Sequence, residues 1–111
     1  MAEAGLADRA ALFAALGDET RLRLVERLSK GEPLSISRLA DGEPVTRQAI
    51  TRHLEVLEGA GLIHGTRIGR ERMWELDPRR FTDAEEALAR IRAEWSERLS
   101  RLKTLVEERP G

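Results

Sequence analysis

The chain has 111 residues, with 19 Lys+Arg against 20 Asp+Glu for a net charge of −1. That length suits one small domain, or a protomer that completes its core in an oligomer; the balance excludes a uniformly basic coat for nucleic acid and an acidic disordered tail. Cysteine is absent, which removes disulfides, thiolate nucleophiles and zinc–thiolate sites.

The N-terminal stretch lacks a basic segment followed by an apolar one, so no signal peptide is expected. The longest apolar run, residues 10–16, has seven members, far short of the roughly 20 that span a bilayer. A cytoplasmic protein with no membrane partner is therefore expected. Helical spacing of Leu6, Ala10, Phe13 and Leu16 predicts a first helix over residues 6–16, stopped by Gly17. Asp18 is placed to cap a second helix over 19–29, with Leu22, Val25 and Leu28 on one face and Gly31 and Pro33 ending it. Ser35 caps a short third helix, residues 36–41, with Ile36, Leu39 and Ala40 inward. Asp41-Gly42-Glu43-Pro44 is a turn by composition, and Thr46 is a cap for the fourth helix. That helix carries a stripe of Ala49, Ile50, His53, Leu54 and Leu57 up to Gly59. Two strands, 62–68 and 72–76, flank Gly69-Arg70 as a hairpin, which Asp77-Pro78 closes. Thr82-x-x-Glu85 fits a capping box for the last helix. Ala84, Leu88, Ile91, Trp95, Leu102 and Leu105 then run along it to Glu108, roughly 27 residues and about 40 Å. A helix that long has little of its own domain to pack against.

The charge is unevenly distributed. Residues 44–80 hold 7 basic and 5 acidic side chains, whereas residues 1–43 hold 6 and 8 and residues 81–111 hold 6 and 7. Of the basic residues 17 are Arg, whose planar fork suits phosphates and guanine edges. A short helix, a tight turn, a helix with polar N-terminal residues and a Gly-tipped hairpin together describe a winged helix-turn-helix. The fold class is thus mainly α with a small β-hairpin wing. With Ile50 and Leu54 inward, Arg47, Gln48, Thr51 and Arg52 fall on the opposite face as base-reading candidates. Thr46 and the wing arginines Arg67, Arg70 and Arg72 are candidates for phosphates or a narrow minor groove. His53 reads as a packed boundary histidine, His64 as a surface one, and Ser35 and Ser37 as cap and turn residues. No nucleophile–base pair or metal triad emerges, so neither an enzyme nor a cofactor is expected. The rival from the residues alone is a winged-helix adaptor that docks protein instead of DNA.

The segment Leu16-Gly17-Asp18-Glu19-Thr20-Arg21-Leu22-Arg23-Leu24, the segment from Thr51-Arg52-His53-Leu54 through Gly61-Leu62-Ile63, and Gly69-Arg70 followed by Trp74 and Leu76 resemble the ArsR-type (ArsR/SmtB) dimeric winged-helix repressors, and the tail Trp95-Ser96-Glu97-Arg98-Leu99-x-x-Leu102 resembles a cysteine-free branch of that family. The resemblance spans about residues 11–76. It implies dimerisation through the first and last helices, about 6–16 and 82–108. It also implies repression at a palindromic double-stranded DNA operator, with release by an unidentified inducer. Under this reading residues 1–111 form a single domain whose DNA-reading part is about 35–76. Leu6, Phe13, Leu88, Ile91, Trp95 and Leu102 are expected in a homodimer interface. Metal-sensing members carry two thiolates where this chain has Ser35-Ile36-Ser37, and serine is a poor soft-metal ligand. The His-containing metal site of the last helix has no histidine here, so no metal site is expected.

Overall fold

The computed structural model describes residues 5–108. Along the chain these form α1 (Leu6–Leu16), α2 (Glu19–Leu28), β1 (Leu34–Ser35), α3 (Ile36–Ala40), α4 (Arg47–Gly59), β2 (Ile63–Ile68), β3 (Glu71–Leu76) and α5 (Pro78–Glu108). This is a mainly helical winged helix-turn-helix, with one strand more than periodicity predicts.

Side-chain caps set the helix starts. Asp18 Oδ2 accepts the Arg21 amide at 3.0 Å, Ser35 Oγ the Arg38 amide at 3.3 Å, and Thr46 Oγ1 the Ala49 amide at 3.1 Å. Each relieves an amide that the first helical turn leaves without a carbonyl partner. The expected start of α5 at Thr82 is corrected: the helix begins one turn earlier, at Pro78. Proline suits the first helical position because its missing N–H has no partner there anyway. Asp77 is the residue that caps it, accepting the Arg79 amide at 3.1 Å. Thr82 lies inside the helix, its hydroxyl donating to the Pro78 carbonyl at 3.3 Å.

The sheet is antiparallel with order β1-β3-β2. Leu34 pairs with Trp74, and β2 pairs with β3 from Ile63–Leu76 to Ile68–Glu71. Two residues close the hairpin. Gly69 has φ +64° and no non-glycine residue among those described has positive φ, the pattern of a type II′ turn with glycine first.

Leu24, Val25 and Leu28 of α2, Leu39 of α3, Ile50, Leu54 and Leu57 of α4, and Trp74 of β3 meet in one core. Leu12 and Ala15 of α1 are buried, Phe13 and Leu16 are partly buried, and Leu6 is 77% exposed. An uninterrupted apolar run has no polar residue to fix its phase, so spacing alone cannot choose the face. Likewise Leu24 takes the inward position on α2 and leaves Leu22 44% exposed. The core ends at Ala84 of α5. From Leu88 onward α5 projects away, which raises the radius of gyration to 19.3 Å against about 13 Å for a compact chain of this size. No helix among the described residues is long and apolar enough to cross a membrane.

Candidate nucleic-acid interface

The arginines of this chain divide by what they touch. Those of α2 hold the helix-turn-helix together. Arg27 reaches back to the end of α3, donating to the carbonyls of Leu39 at 2.8 Å, Arg38 at 2.6 Å and Asp41 at 3.4 Å. The Asp41 amide also reaches the Arg38 carbonyl at 3.3 Å, and the guanidinium adds donors where so short a helix runs out of amides. Arg23 grips Glu43 in the following turn, with Nη2–Oε2 at 3.0 Å and Nε–Oε2 at 3.2 Å. The Glu43 side chain is only 6% exposed, and its hydrogen bond raises the Arg23 pKa further above the usual guanidinium value. Arg21 joins three helices: Nε donates to the Ala15 carbonyl of α1 at 2.7 Å, and Nη1 lies 3.2 Å from His53 Nδ1 of α4. A guanidinium only donates, so Nδ1 accepts. His53 is thus a boundary histidine tied to the scaffold. The Arg21 amide also draws the Asp18 carboxyl below its ordinary pKa. Apart from the Asp18 cap, none of these links was legible in the sequence, because the partners lie 6 to 32 residues apart with no fixed spacing.

On this frame α4 presents its polar residues in two directions. Gln48 and Arg52 are exposed on the side away from Ile50, Leu54 and Leu57. Arg47 and the half-buried Thr51 turn instead toward the wing, where with Arg70 they line one hollow. A 100° step per residue keeps all four within roughly 140° of the helix circumference, with Arg47 and Thr51 at its wing-side edge. Thr51 also donates its hydroxyl to the Arg47 carbonyl at 3.1 Å. Thr46 is exposed, and its oxygen is engaged as the cap of α4.

The wing shows the same division. Arg67 and Arg70 are exposed and, like Arg47 and Arg52, make no side-chain hydrogen bond or ion pair among the described residues. Arg72 is held. Its Nη2 lies 2.9 Å from Glu58 Oε2 of α4, and its guanidinium stacks over Trp74 at 4.4 Å from the ring centre. The side chain crosses Gly65, where a Cβ would stand 2.5 Å from Arg72 Nε. A glycine inside a strand signals such a close approach, and this one was the available clue. Arg72 therefore ties the wing to α4 as well as standing near its arginine-rich edge. On the outer face of the hairpin His64 Nε2 meets Glu75 Oε1 at 2.8 Å, as a surface histidine. At the hairpin's foot, the Arg79 guanidinium and amide lower the Asp77 carboxyl to about 2.

Among the described residues no group of three or more His, Asp or Glu gathers in a metal-binding arrangement. Of the residues expected at a dimer interface, Leu6, Leu88, Ile91, Trp95 and Leu102 are exposed and Phe13 is half-buried. Leu99 and Val106 extend their stripe along α5. Pairs such as Leu88/Leu99, Ile91/Leu102 and Trp95/Val106 are spaced by eleven residues, a period close to that of a straight helix.

A helix-turn-helix domain family matches residues 16–66. The HTH-type transcriptional regulator Rv2034 of Mycobacterium tuberculosis (strain ATCC 25618 / H37Rv) is 37% identical over 100 residues, covering 90% of this chain and 88% of that protein. An ArsR-like transcriptional regulator from Rhodococcus sp. RHA1 is similar in structure with a TM-score of 0.77 and 38% identity, over 93% of this chain and 96% of the other. The chain belongs to the ArsR family. It is a transcriptional regulator with a helix-turn-helix DNA-binding domain. The fold of this ArsR-family regulator also matches a homodimeric winged helix-turn-helix domain, Mb0332 of Mycobacterium bovis, with a TM-score of 0.63 at 20% identity. In the regulator, α3 and α4 are the helix-turn-helix, and β2 and β3 are the wing.

Proposed function

We propose that the protein is a homodimeric repressor that binds a palindromic operator. The observation that carries this reading is the separation of its arginines. Arg21, Arg23, Arg27 and Arg72 are engaged within the fold, whereas Arg47, Arg52, Arg67 and Arg70 stand exposed on α4 and the wing with no internal partner. Uncommitted guanidiniums on a helix that fits the major groove and on an adjoining hairpin suit DNA. Gln48 and Arg52 read base edges at the centre of the face. Arg47 and Thr51 read or brace at its wing side. Thr46, Arg67 and Arg70 contact the backbone, and Arg72 holds the wing at its angle.

A second copy of the chain covers the stripe of Leu88, Ile91, Trp95 and Leu102, together with Leu6 and Phe13 of α1. Apolar surface of this extent is seldom left open to water. A two-fold dimer sets two α4 helices about one DNA turn, roughly 34–36 Å, apart. Repression then follows from occupancy of a promoter. The test is to select bound fragments from the host genome and titrate the recovered site with the purified protein at several salt concentrations. Affinity that falls steeply with salt, with two protomers per site, is expected. No binding to any fragment at low salt would overturn the reading in favour of a protein-docking adaptor.

A further inference from the structure

Between α3, the start of α4 and the wing lies a hollow of about 250 Å³. Its floor is apolar, formed by the half-buried Ile36 and the buried Trp74. Its rim carries Arg47 and Arg70, neither of which has an internal side-chain partner, and the hydroxyls of Ser37 and Thr51. Glu71 is the only carboxylate on the lining, and the charge of Arg72 there is already matched by Glu58. The free donors are therefore two guanidiniums and the Ser37 hydroxyl around a net positive mouth, a set that attracts an anion and repels a metal cation. Clefts for drug-sized ligands run to roughly 300–1,000 Å³, so the occupant is smaller than these.

We propose that this hollow binds a small organic acid, a single ring bearing one carboxylate or phosphate group, and that this ligand and the operator exclude each other. The ring covers Ile36 and the edge of Trp74; the acid group takes the forks of Arg47 and Arg70, which bind such groups through two parallel hydrogen bonds. Exclusion rests on the DNA reading above, because Arg47, Thr51 and Arg70 belong to both sites. A bound anion uses the guanidinium donors of Arg47 and Arg70 and presents negative charge to the DNA backbone. The ligand is then an inducer, and by linkage the operator weakens the ligand to the same degree.

The test uses the two tryptophans of the full chain. One forms the floor of the hollow and the other, Trp95, lies on α5. The protein is titrated with phenyl phosphate, benzoate and inorganic phosphate at constant ionic strength while both indole N–H signals are followed by NMR. Saturable movement of the Trp74 signal with either ring compound, a dissociation constant on the order of millimolar, and a still Trp95 signal are expected. Ser37→Leu, which fills the mouth from an exposed position, should abolish the movement and keep operator affinity. With the wild-type protein, saturating probe should lower operator affinity by about tenfold. The proposal is overturned by no saturable movement with either ring compound, by equal effects from inorganic phosphate, or by saturation that leaves operator affinity unchanged. If the chain binds no DNA at all, the spectra still decide the ligand site by themselves.

Discussion

Arg52 and Arg72 are the same amino acid in different employment. Arg52 projects from α4 with no internal partner, and Arg72 is clamped between Glu58 and Trp74. Arg52→Ala is expected to weaken operator binding by about 1–3 kcal/mol if the guanidinium bonds a base edge, and random DNA by much less. Equal losses on both, measured by fluorescence anisotropy, would reassign it to a phosphate. In the wing, Arg70→Ala should reduce the slope of log affinity against log salt by about 1. Arg72→Met should leave that slope nearly unchanged. Composition reveals an excess of arginine, but which arginines look inward depends on partners far along the chain. Only Gly65 hinted at one of them. Asp77 adds a pH dependence. Its carboxyl is lowered from the usual 3.8 to about 2 in the fold, so its contribution is full well above 3.8 and is lost as pH falls through about 2. Asp77→Asn keeps a cap acceptor and removes the titration. The stability gap between wild type and this variant, followed by urea unfolding, should shrink as pH is lowered through that window.

At the scale of elements, local chemistry was the readable part. Asp18, Ser35 and Thr46 announce their helices because a cap needs only a side-chain oxygen and an amide three residues on. The two-residue β1 was not readable, since it exists only through its pairing with β3 and two residues carry no period. The start of α5 was misread because the Thr82 pattern competed with Pro78 and its capping aspartate. Arg27 belongs to this scale, for it completes α3 from a different helix. Arg27→Met should cost about 1–2 kcal/mol in urea unfolding through the lost charged hydrogen bonds. Arg27→Lys should recover little of it, because a single ammonium cannot span carbonyls that a planar fork reaches together.

The whole molecule is elongated, 72 Å by 37 Å by 23 Å, because α5 outruns the core. Both the long helix and its lack of cover were plain in the sequence, because its length exceeds what so small a domain can pack against; where the cover ends, at Ala84, was not. Trp95 is 59% exposed in the middle of this stripe. Trp95→Glu is expected to convert a dimer into monomers in sedimentation velocity and to lower operator affinity by about 10²-fold or more, since two linked half-site contacts become independent. A dimer that survives the substitution would place the interface elsewhere.

The two-residue turn of the wing has an evolutionary consequence. Successive residues of a strand point to opposite faces, so one residue inserted into β2 or β3 would send the side chains beyond it to the other side of the sheet. Arg67 would change sides, or Arg72 would leave Glu58. An insertion of two residues in each strand preserves both and lengthens the hairpin by about 7 Å. The length of this wing is therefore free to vary among descendants only in even steps.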